Sequence, residues 1–97
     1  PIYDFAPMKA DPEQVTRLFK WGQGAELAGD VNFERVAAGV ADLIDPDTLL
    51  TALRDMAQRL LQVPSLLAQH GCPAEILHFP ALGFAHLPEK LHRMKLR

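Results

Sequence analysis

The chain has 97 residues, the length of one domain or part of one. Its hydrophobic content of 48% is that of a globular chain and excludes intrinsic disorder. Ten Lys and Arg against twelve Asp and Glu leave a formal charge of −2, so no global charge argues for nucleic acid, an anionic membrane or a polyanionic substrate.

In chain order, residues 1–11 form an extended arm, because Pro1 and Pro7 flank the apolar run Ile2-Tyr3-Asp4-Phe5-Ala6 and prevent a regular helix. Residues 12–97 form a helical subdomain. Asp11-Pro12-Glu13-Gln14 carries an N-cap acid, a proline suited to the first helical position and a residue able to reach back to the cap. Val15, Leu18 and Phe19 follow as one apolar stripe, and Gly22 and Gly24 end the helix. Residues 23–31 show no periodicity and are expected to be a connecting loop. A second helix is expected from Asp30 or Asn32, with Phe33, Val36, Ala37, Val40 and Ile44 on its inner face.

Asp45-Pro46-Asp47 repeats the cap-proline-acid signal. The helix it opens carries a seam of Leu49, Leu53, Met56, Leu60 and Val63, widened by Leu50, Ala57 and Leu61. Pro64, which lacks an N–H, should kink or restart it, with Leu66 and Leu67 continuing the apolar face. His70-Gly71 closes that stretch, and Pro73 opens a short helix toward Phe79. A last helix over 84–94 turns Phe84, Leu87, Leu91 and Met94 inward, with Pro88 in its first turn or at a kink. The fold class is therefore all-α, with about four to five helices and no convincing strand outside Ile2 to Phe5.

Few residues combine into a site. Gly22-Gln23-Gly24 lacks the preceding strand, following helix and Lys-Ser/Thr pair of a phosphate loop, so helix termination explains it. His70, Cys72, His78 and His86 lie within seventeen positions but do not pair at zinc-ligand spacing, which favours surface and capping roles. Cys72 is the only cysteine, so no internal disulfide forms and a reducing cytoplasm is expected. The basic tail from Lys90 to Arg97 suits the negative end of a helix dipole. Trp21 reads first as a core or edge aromatic and second as an interface anchor. No apolar run approaches the ~20 residues that cross a bilayer. The opening Pro1-Ile2-Tyr3-Asp4, with neither an initiator Met nor a leader pattern, is expected of a shortened chain.

Asp4 stands apart. It is a lone acid among apolar residues, between prolines, and a carboxylate so placed needs a hydrogen-bond donor, a cation or water. One reading is a turn cap; the other is a ligand for a divalent metal on a rigid arm. At this point the sequence resembles the HipA-like bacterial serine/threonine kinases of toxin–antitoxin systems, through Pro1-Ile2-Tyr3-Asp4. A second likeness runs over Glu75-Ile76-Leu77-His78-Phe79-Pro80-Ala81-Leu82-Gly83-Phe84.

The resemblance implies that the chain is the C-terminal helical subdomain of such a kinase. Asp4 would then hold the magnesium that bridges the phosphates of ATP. It also implies the N-terminal part of the kinase, a protein substrate and an antitoxin DNA-binding protein as partners. The glycine-rich loop, the ATP-contacting lysine and the catalytic Asp/Asn loop of phosphoryl transfer have no counterpart in these 97 residues, so no catalysis and no tight ligand binding are expected of them alone. A non-catalytic helical interaction module is the alternative reading, and a DNA-binding domain, supported only by the tail, is a third. Apolar surface left uncovered in such a subdomain would favour self-association.

Overall fold

The structure is a computed structural model that describes residues 10, 13, 20–22 and 24–97. Residues 1–9 of the arm, with the metal-ligand reading of Asp4, and all of the first expected helix except Glu13, Lys20 and Trp21 lie outside the described residues. Residues 24–97 are mainly helical, but they open on a strand pair. β1 (Glu26–Leu27) and β2 (Asp30–Val31) form an antiparallel hairpin in which Glu26 faces Val31 and Leu27 faces Asp30. The turn is Ala28-Gly29, with φ of 52° and 83°. Two successive positive φ values make the tight turn whose twist matches that of paired strands. The Asn32 N–H donates to the Ala25 carbonyl at 2.6 Å and carries the pairing one step further. Residues 23–31 are thus no plain loop, and the all-α expectation is corrected to mainly helical.

The hairpin feeds α1 (Phe33–Gly39) directly. Asn32 caps it, its Oδ1 accepting the Arg35 N–H at 3.2 Å. The helix is shorter than its apolar pattern suggests. It ends at Gly39, and the Leu43 and Ile44 N–H groups both return to the Val40 carbonyl as turns. Glycine is a poor helix former, and the next valine, at φ −115°, has already left helical geometry. Ala37 is fully buried, while Leu43 and Ile44 are exposed. Ile44 therefore does not belong to the inner face.

α2 (Pro46–Leu60) begins as the sequence indicates. Asp45 Oδ2 accepts from the Thr48 N–H and from Thr48 Oγ1, each at 3.0 Å, and Pro46 takes the first helical position, where no N–H is needed. The buried stripe follows the expected seam at three of its five positions and departs from it at Met56 and Leu60. Of the expected seam, Leu49, Leu53 and Val63 are half-buried but Met56 is 58% and Leu60 40% exposed, while of its margin Ala57 is fully buried and Leu50 and Leu61 are half-buried. The margin residues Ala57 and Leu61 thus take the inward places expected of Met56 and Leu60. Pro64 restarts the helix: Leu61 and Gln62 form a turn, and α3 (Val63–Gln69) follows with the proline in its first turn. Leu66 is exposed and Leu67 half-buried, so only the second continues inward.

α3 closes on the paired backbone bonds of a glycine-terminated helix. The Cys72 N–H donates to the Leu67 carbonyl at 2.9 Å and the Gly71 N–H to Ala68 at 3.2 Å, with Gly71 at φ +83°. Pro73 then precedes α4 (Ala74–Leu77). Two 3-10 turns, Pro80–Leu82 and Phe84–His86, lead into α5 (Leu87–Arg93), with Pro88 in its first turn. The expected helix over 84–94 is thus a 3-10 turn followed by an α-helix.

The core centres on Leu91, 2% exposed, packed with Ala57 of α2 and with Leu96 beyond α5. Phe33, Leu53, Leu61, Leu87 and Met94 enclose these three. Full burial of a leucine contributes about 2 kcal/mol. The C-terminal segment is also tied by polar contacts. Arg54 Nε donates to the Lys95 carbonyl at 3.3 Å, and Arg93 reaches Asp30 of β2. Among the described residues no helix is long and apolar enough to cross a membrane.

Candidate functional site

The segment 75–84 takes a definite shape. α4 ends at His78, Phe79 runs extended, and Gly83 at φ +69° separates the two 3-10 turns. That left-handed backbone is costly for a residue with a Cβ, which accounts for the glycine between Leu82 and Phe84. Opposite lie Pro64, Ser65 and Ala68 of α3. Between the two walls runs an open groove of about 720 Å³, mostly apolar, bordered by Phe79 and Phe84 and by His78 and His86.

The histidines and the cysteine do not come together. His78 and His86 share the groove, while His70 caps α3 and Cys72 is half-buried with its sulfur 3.8 Å from the Pro73 carbonyl. Among the described residues no three of His, Cys, Asp and Glu are grouped to hold a metal ion.

The basic tail is balanced by acids brought from elsewhere in the chain. Arg93 forms a forked pair with Asp30, Nε to Oδ2 at 2.8 Å and Nη2 to Oδ1 at 3.3 Å. Lys95 Nζ lies 3.9 Å from Glu34 Oε1. Hydrogen bonding from Arg93, and then its charge, hold the Asp30 carboxyl below its ordinary value of 3.8, and the same contact raises Arg93. Lys90, His92 and Arg93 occupy the last turn of α5, where cations favour the negative end of the helix. The tail therefore has structural work inside the fold. The sequence gives no local signal for the Asp30–Arg93 pair, whose members are 63 positions apart.

Trp21 is 49% exposed and stands at an edge, not in the core. Its backbone N–H donates to Glu26 Oε2 at 3.0 Å, and with Val36 and Val40 it borders a shallow depression on α1. Glu26 itself is buried, which fixes the entry of the chain into the hairpin. At Gly24, φ +73°, a Cβ would stand 2.9 Å from the Arg35 guanidinium, so the bare backbone lets that side chain pass.

The described residues thus form a scaffold with a groove and a neutralised charge cluster. No protein-family model, no curated protein and no solved structure matches the chain.

Proposed function

We propose that this chain is the C-terminal helical part of a HipA-like serine/threonine protein kinase, contributing Asp4 to its magnesium site and helices to the lobe behind it. The observation that carries the reading is the segment Pro1-Ile2-Tyr3-Asp4. The likeness over 75–84 and the mainly helical build of residues 24–97 are compatible with it.

A carboxylate is the hard oxygen donor that magnesium prefers, and the ion completes its octahedron with phosphate oxygens and water. One such donor suffices only as part of a larger set. Magnesium bound between the phosphates of ATP would neutralise charge that develops on the transferred γ-phosphoryl group. The role of this chain is to hold one acid at a fixed place against that ion. The phosphate-covering loop, the lysine and the base for the substrate hydroxyl would come from the rest of the kinase. Its substrate would be a protein serine or threonine, its setting the cytoplasm, and a DNA-binding antitoxin its regulatory partner.

In the complete kinase, Asp4→Asn is expected to abolish transfer of labelled γ-phosphate to protein while leaving the unfolding midpoint unchanged. Undiminished transfer would remove Asp4 from the mechanism. For the 97 residues alone, calorimetry should show no sub-micromolar binding of magnesium.

A second reading, a non-catalytic helical interaction module, draws on the exposed apolar side chains Leu43, Met56, Leu60 and Leu66. Apolar side chains that join into one exposed patch often mark a docking surface. A complete protein that bound no nucleotide would favour this reading over the kinase.

A further inference from the structure

We draw no further inference here: the strongest candidate, the exposed apolar flank of α2 at Met56 and Leu60, carries nothing because nothing in the structure shows what covers it.

Discussion

Lys95 holds a backbone conformation that L-residues avoid, with φ +58°. It closes α5 with the same pair of bonds that closes α3. The Leu96 N–H donates to Leu91 at 2.9 Å and the Lys95 N–H to His92 at 3.0 Å. At α3 the left-handed position is glycine, and the sequence announces it; at α5 it is lysine, and nothing does. The left-handed region costs a residue with a Cβ about 1–2 kcal/mol. The turn survives because it swings Leu96 back onto Leu91 in the core. Lys95→Gly should therefore stabilise the chain by about 0.5–1 kcal/mol in urea unfolding at high salt, where loss of the exposed Lys95–Glu34 pair is screened and only the freer unfolded chain offsets the relief. The Asp30–Arg93 pair sets a pH dependence. The folded state holds the Asp30 carboxyl below 3.8, chiefly through the hydrogen bond from Arg93, so near that pH the unfolded chain binds more protons. Its stabilisation is full above the unfolded value and disappears as pH falls through the lowered folded one. The stability difference between wild type and Asp30→Asn should thus be constant from about pH 6 to 8 and shrink below about pH 4. Both groups are exposed, so raising the salt concentration should reduce it as well.

Among the elements, starts are more legible than ends. Asp45-Pro46 marks the first turn of α2 because the cap is local chemistry: one carboxylate, one free N–H three residues on, and a ring that needs no partner. Asp45→Ala should cost about 1 kcal/mol in the same unfolding assay, while Asp45→Asn, which keeps the acceptor, should cost much less. The end of α1 is hidden because Val40 and Ile44 continue the apolar spacing after the helix has given way to turns. The hairpin is hidden for two reasons. Its strands have two residues each, too short to show alternation, and its turn is Ala-Gly where Asn-Gly is the usual signal. Backbone pairing with longer-range anchors holds it: Asn32 to Ala25, Glu26 to Trp21, and Asp30 to Arg93. Of the candidate site, the sequence can present Asp4 by its setting, but the groove between α3 and Phe79–Phe84 needs the fold to exist at all.

For the whole molecule, the position of α2 decides which apolar residues stabilise the fold. Spacing alone places Leu53, Met56 and Leu60 in one seam; Leu53 packs on the core cluster as expected, but Ala57 and Leu61 join it there in place of Met56 and Leu60. A helix with apolar residues on more than a narrow stripe can be rotated either way by pattern; the choice is made by what it packs against. Here that is Phe33 at the start of α1 and Leu87, Leu91 and Leu96 around α5. Two sets of substitutions separate the alternatives. Leu91→Ala removes a large side chain from a site 2% exposed and should cost about 2–5 kcal/mol, with a clear loss in urea midpoint. Met56→Lys combined with Leu60→Glu introduces charges at positions 58% and 40% exposed, and the stability should stay within about 0.5 kcal/mol of wild type. The two new side chains lie four apart on one helix face, with the cation on the N-terminal side, so their mutual attraction is small and leaves that expectation intact. A loss of several kcal/mol from the double variant would mean that α2 packs by the seam the sequence suggests, with Met56 and Leu60 inward. In that case Leu61→Ala, at the margin of that seam, should cost less than Leu60→Ala, whereas packing of Leu61 on the cluster predicts the reverse order.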